Sequence, residues 1–157
     1  MAYVVHLVAV PQQAIAGIRG RGPTAEMASR VLRLRRALEE AGVETAGPPM
    51  GRFFEERTQE GDVDYEVSVP VRPRPDGSVP DRIGDAHGDL IPAHHALATE
   101  HRGPYGGLLA GFSAIAEELD ALGYAVAGPA TEVYLRGPKD TDDASGYVTL
   151  LRLPIAR

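Results

Sequence analysis

The sequence predicts an α+β fold: a duplicated βαββ unit with a pseudo-twofold axis, an antiparallel sheet, both helices on one face and a ligand cleft on the other. Three observations predict it. The chain repeats itself at an interval of 81 residues, each copy carries the same amphipathic stripe, and both copies close on similar strands. "RGP" at Arg21–Pro23 recurs at Arg102–Pro104, and "AGP" at Ala46–Pro48 recurs at Ala127–Pro129. Pro11 meets Pro92, Leu38 meets Leu119 and Gly42 meets Gly123, with no gap needed from Pro11 to Pro49. Self-similarity at a fixed interval is the mark of a unit that is stacked or paired with its copy.

The first copy opens with extended segments over about 3–10 and 13–19. A helix follows over 24–41, in which Met27, Val31, Leu34 and Leu38 fall on one helical face. Arg30, Arg33, Arg35 and Arg36 then read as a solvated face rather than a nucleic-acid patch. Strands are expected at 50–57 and 63–71. The second copy gives an extended segment at 91–101, a helix at 105–122, and strands at 130–136 and 146–154. Its helix repeats the stripe with Leu108, Phe112, Ile115 and Leu119. Gly42 and Gly123 stand where left-handed helix caps belong. "SVPV" (Ser68–Val71) and "RLPI" (Arg152–Ile155) close the copies 84 residues apart, so the second closing hairpin is three residues longer.

The chain reads as one domain over 1–157: a first half at 1–71, a Pro-, Gly- and Asp-rich linker at 72–89, and a second half at 90–157. With both helices on one face of the sheet, the other face is solvated or forms a groove. A groove on a pseudo-symmetry axis is a natural place for a ligand.

Composition excludes several functions. There is no Cys, so thiolate catalysis, disulfides and cysteine zinc sites are absent. A net charge of −6 argues against a broad duplex-binding surface. No apolar run is long enough to span a membrane, and "MAYVVHLVAVPQQ" lacks the basic start of a signal peptide, so a cytoplasmic location is expected. His94 and His95 are adjacent and point to opposite faces of a strand, and no third ligand accompanies His95 and His101, so no metal site is expected. "RGPYGG" lacks the Lys-Ser/Thr of a phosphate-binding loop and reads as a tight strand-to-helix turn. No cofactor is expected.

Four segments carry a resemblance: "HRGPYGGL" (His101–Leu108), "GPATEVYL" (Gly128–Leu135) with its E-x-Y core, "DYEVSVPV" (Asp64–Val71) and the closing "LLRLPI". The chain resembles a stand-alone GyrI-like domain, the small-molecule-binding module that also serves as effector domain in some MerR- and AraC-type regulators. The resemblance covers essentially the whole chain. It implies a cleft between the two halves that takes bulky, aromatic, often cationic or lipophilic compounds, for multidrug binding, sequestration or sensing. It assigns Glu132 as the acid at the cleft floor, with Tyr134, Tyr147 and Tyr105 as aromatic walls. Phe53, the counterpart of Tyr134, and its neighbour Met50 join the expected ligand-binding set. The first-half counterpart of Glu132 is Gly51, so the expected site is asymmetric. His101, in H-x-G-P-Y, is expected to make a structural hydrogen bond.

Strict strand alternation adds one expectation: Glu132 and Tyr134 face the groove while Val133 and Leu135 pack under the helices. With the first strand beginning near Tyr3, no segment is left for a helix-turn-helix, and direct DNA binding is not expected. Two rival functions follow from the resemblance. One is a hydrolase that opens cyclopropane rings of DNA-alkylating antibiotics, with Glu132 as general base and a tyrosine such as Tyr147 orienting or protonating the substrate carbonyl. The other is inhibition of gyrase by protein contact; no particular protein partner is indicated by these residues.

Overall fold

The computed structural model describes residues 3–56 and 61–157. The expected strand at 50–57 therefore ends on Arg57, outside the described residues. In chain order, the strands are β1 (His6–Val10), β2 (Gln13–Gly22), β3 (Met50–Phe53), β4 (Val63–Pro70), β5 (Arg82–Ile83) and β6 (Ala86–Ile91). They continue with β7 (His94–Arg102), β8 (Ala125–Val126), β9 (Ala130–Arg136) and β10 (Val148–Ala156). The helices are α1 (Met27–Ala41) and α2 (Leu108–Leu122), each entered through a short 3-10 turn, Thr24–Glu26 and Tyr105–Gly107. Both turns and both helices repeat at the 81-residue interval found in the sequence. The fold is α+β, with every strand pair described below antiparallel.

The chain divides into two compact units. One is Pro11–Ala93. Its sheet runs β3, β4, β2, β6, β5. The helix α1 lies on one face, where Leu34, Ala37 and Leu38 pack on Ala16, Ile18, Phe53, Tyr65, Val67 and Val69. The other unit is Met1–Val10 with His94–Arg157. Its sheet runs β1, β7, β10, β9, and β8 also pairs with β10. Here Leu108 and Ile115 of α2 pack on Leu97, Leu151 and Ile155. Each helix ends on a glycine in the left-handed region, Gly42 at φ 67° and Gly123 at φ 73°, the backbone region in which a Cβ is strained.

Three expectations are corrected. The segment 72–89 is not a bare linker: it holds β5 and most of β6, and β6 pairs along β2. The N-terminal strand does not stay with the first half; β1 pairs with β7 of the second, His6 opposite Ala98 through Val10 opposite His94. Arg30 is not on a solvated face. It is 7 % exposed, its guanidinium lies 4.3 Å from the Tyr65 ring centroid, and it donates to the Gly20 carbonyl at 2.9 Å. The reason is helical spacing: Arg30 stands one turn before Leu34 and two before Leu38, on the buried face. Arg33, Arg35 and Arg36 are exposed. In α2 the equivalent of Arg30 is Gly111, where an added Cβ would meet Leu151 Cδ1 at 2.5 Å.

Candidate functional site

The site is built in the unit that contains α2. Strand β9 runs beside β10 with Glu132 opposite Leu151 and Tyr134 opposite Thr149. Directly opposed residues in an antiparallel pair share a face. Leu151 packs with Leu108 and Ile115 of α2. Glu132 and Tyr134 therefore sit on the α2 side of this sheet. This corrects the expectation that Val133 and Leu135 pack under a helix. They occupy the reverse face, where Val133 is buried and Leu135 is 47 % exposed.

Glu132 is 0 % exposed. The Tyr134 hydroxyl donates to its Oε1 at 2.9 Å. Around this pair the sequence gathers aromatic rings. Tyr105, in the turn before α2, meets Tyr134 edge-on at 5.8 Å between centroids and lies 5.0 Å from Tyr147. Offset and edge contacts of this kind suit the ring quadrupoles. The Tyr105 hydroxyl lies 2.8 Å from where a Cβ on Gly137 would stand, so a side chain at 137 would displace it. The Gly137 N–H donates to Asp140 Oδ2 at 3.0 Å. Burial raises the Tyr105 pKa above its ordinary 10.0, and the negative charges of Tyr147, Glu132 and Asp140 raise it further. The four residues Glu132, Tyr134, Tyr105 and Tyr147 thus form one cluster.

The remaining expected residues lie in the Pro11–Ala93 unit. Phe53 is buried there, stacked 5.8 Å from Tyr65. Met50 is buried opposite Ser68. His101 accepts from the Tyr3 hydroxyl at 2.7 Å and donates from Nε2 to the Pro104 carbonyl at 3.0 Å, tying the start of β1 to the turn before α2. Among the described residues no group of three or more His, Asp or Glu stands close enough together to hold a metal ion.

Comparison of the two copies adds a residue that the sequence did not single out. Thr149 stands where the first copy has Tyr65, by the 84-residue offset of the closing strands. Tyr65 is a fully buried ring with Arg30 over it. Thr149 is equally buried but far smaller, and its Oγ1 has no hydrogen-bond partner among the described residues. A buried hydroxyl without a partner costs free energy that water or a ligand recovers. The mismatch was present in the sequence, but only the strand register shows that positions 65 and 149 are equivalent.

Two βα units repeated at one interval, each with its own antiparallel sheet, define the class of fold. The chain belongs to the GyrI-like small molecule binding domain family, which it matches over residues 4–156. Among solved structures it is similar to the EcmrR C-terminal domain, at 18 % identity and a TM-score of 0.88, covering 100 % of this chain and 99 % of that one. In the structure of EcmrR with DNA the chain spans 58 % of the EcmrR chain, at 18 % identity, a TM-score of 0.87 and 99 % of its own length. A hydrolase from Listeria innocua, encoded by lin2189, is similar at 15 % identity and a TM-score of 0.69, with 97 % of this chain and 91 % of that one covered. SAV2435, solved with tetraphenylphosphonium bound, is similar at 14 % identity and a TM-score of 0.63, with coverage of 99 % and 94 %. At these identities the likeness is one of fold. No curated protein matches the chain. Among the described residues no helix is long and apolar enough to cross a membrane.

Proposed function

We propose that this protein binds bulky aromatic cations or lipophilic compounds at the Glu132 cluster, for sequestration or sensing. The observation that carries the reading is the complete burial of Glu132 among three tyrosine rings, beside the unpartnered Thr149 hydroxyl. A carboxylate removed from water is costly, and the Tyr134 hydroxyl is one of the groups that offset that cost. A ligand cation at about 4 Å would attract it by roughly 4 kcal/mol at an effective dielectric near 20. Tyrosine faces add roughly 0.5–2 kcal/mol for each ring the cation covers. A neighbour of the same fold was solved with tetraphenylphosphonium, an aromatic cation, which supports this ligand class. Phe53 and Met50 are assigned no contact with the ligand in this account. The test is a fluorescence titration with a planar cationic dye and an anionic dye of like size. Micromolar binding of the cation with little binding of the anion is expected; equal affinities would remove Glu132 as the basis of selectivity.

A second reading is favoured by the buried Glu132 carboxylate beside Tyr134 and by a fold neighbour that is a hydrolase. In it Glu132 takes a proton from water during opening of a strained cyclopropane ring, and Tyr147 orients the substrate. Mass spectrometry after incubation with a cyclopropane compound separates the two: a gain of one water supports turnover, and unchanged compound returns the site to binding alone.

A further inference from the structure

A second buried carboxylate lies in the Pro11–Ala93 unit. Glu66 of β4 stands between Arg52 of β3 and Arg19 of β2 in the strand register. It alternates with Tyr65 and Val67, which pack under α1, so it lies on the face turned away from that helix. It is 2 % exposed. Oε1 accepts from Arg52 at 3.0 Å and from the Ser68 hydroxyl, and Oε2 bonds to His87 Nε2 at 2.7 Å. The carboxyl rests on Gly17, where a Cβ would stand 2.7 Å from Glu66 Cδ.

The repeat shows that the fold does not require this cluster. The pairings Glu66–Arg52 and Ser68–Gly17 recur in the other unit as Leu150–Val133 and Arg152–Ala98. There the place of the buried acid is held by a leucine. A buried charged network contributes little stability over an apolar residue in its place, so the presence of Glu66 where the other copy has Leu150 points to chemistry.

We propose that Glu66 and His87 form a second site, a carboxylate-oriented imidazole that acts as a nucleophile on small activated esters. Glu66 accepts the Nε2 proton, which leaves the lone pair of the neutral ring on Nδ1. Among the described residues Nδ1 has no hydrogen-bond partner, and the His87 side chain is 40 % exposed against 2 % for Glu66. Arg52 and Ser68 fix the carboxylate that orients the ring. Arg82 stands opposite His87 in the β5–β6 pair, on the same face, and supplies a cation for the oxyanion that develops on the ester carbonyl. In the first step Nδ1 bonds to the acyl carbon and the bond to the leaving oxygen breaks, releasing an alkoxide or phenolate. The acylimidazolium is held against Glu66 through its Nε2 proton. Water then adds to the acyl carbon and the C–N bond breaks; the carboxylic acid leaves with one proton of that water, the other passes through solvent to the released alkoxide or phenolate, and the neutral ring is restored.

The test is phenolate release from p-nitrophenyl acetate by the full chain, with mass spectrometry of the protein quenched during turnover. Acetylation of His87 is expected. His87→Gln should lower the rate about 100-fold, towards the uncatalysed background. Glu66→Gln, which keeps the imidazole, should lower it about tenfold. His6→Gln, on the exposed His6 of β1, should leave it unchanged. A wild-type rate no greater than that of free imidazole at equal concentration would overturn the proposal, as would a folded His87→Gln chain with the wild-type rate. If that variant does not fold, the adduct decides: acetyl on His87 supports the proposal, and acetyl only elsewhere overturns it.

Discussion

Glu132 stands directly opposite Leu151 across the β9–β10 pair, and Leu151 is the residue that meets Gly111 of α2. The acid is thereby placed on the helix-covered face of its sheet, among Tyr134, Tyr105 and Tyr147. Its setting follows from that position: the carboxylate is fully buried, and the Tyr134 hydroxyl donates to it.

The charge of Glu132 acts on Tyr105, whose pKa lies above its ordinary 10.0 through burial first and then through the charges of Tyr147, Glu132 and Asp140. A raised phenol pKa stabilises the fold below pH 10.0, and that contribution is lost as pH rises through the higher folded value. Glu132→Gln should bring the Tyr105 transition down, towards 10.0, in an ultraviolet titration of phenolate. An unmoved transition would separate the two groups electrostatically.

The two helix caps make matched predictions. Gly42 and Gly123 have nearly the same left-handed conformation, with φ of 67° and 73°, and an added Cβ meets nothing within 4 Å at either. Only backbone strain distinguishes alanine from glycine there. Gly42→Ala and Gly123→Ala should each cost about 1 kcal/mol in denaturant unfolding. A loss at one cap only would show that the repeated geometry does not carry repeated energetics.

The Pro11–Ala93 unit should be sensitive to acid. Asp64 accepts two hydrogen bonds from Arg19, at 2.9 and 3.1 Å, which hold its pKa below the ordinary 3.8. Glu55 is held below 4.5, first by the backbone N–H of Asp64 and then by Arg21. Depressed carboxylates stabilise the fold fully above those ordinary values, and the contribution is lost as pH falls through the lower folded ones. Melting temperature followed against pH should therefore fall less steeply below pH 3.8 in Asp64→Asn than in the wild type. Parallel curves would mean that the pair leaves stability unaffected.

Much of this molecule is legible in its sequence, and the illegible parts share a cause. Helices α1 and α2 could be placed because their stripes and glycine caps are local signals. The pairing of Glu132 with Tyr134 follows from alternation alone. Alternation says which residues share a face, but not which face a helix covers; hence Val133 and Leu135 were expected on the wrong side. Strand β1 pairs with a strand more than eighty residues away, β7, and nothing local announces that. The Pro and Gly content of 72–89 masks the short strands β5 and β6. Arg30 reads as a solvated charge because its partner, the Tyr65 ring, comes from strand β4, far along the chain. Glu66 sits in a quoted motif and still escaped notice, since its donors Arg52, Ser68 and His87 come from three strands. The mismatch of Glu66 with Leu150 was the available signal, and it needed the register to be read.

The central claim is that Glu132 selects a ligand by charge, and calorimetric titration of wild type and Glu132→Gln tests it most directly. The titrants are a planar aromatic cation and an uncharged compound of the same shape. Glutamine keeps the shape and removes the charge, so the cation should lose roughly 2–4 kcal/mol of binding, or about 30- to 1,000-fold in Kd. The uncharged compound should bind both proteins alike. Equal losses for the two compounds, or no loss for the cation, would contradict the account.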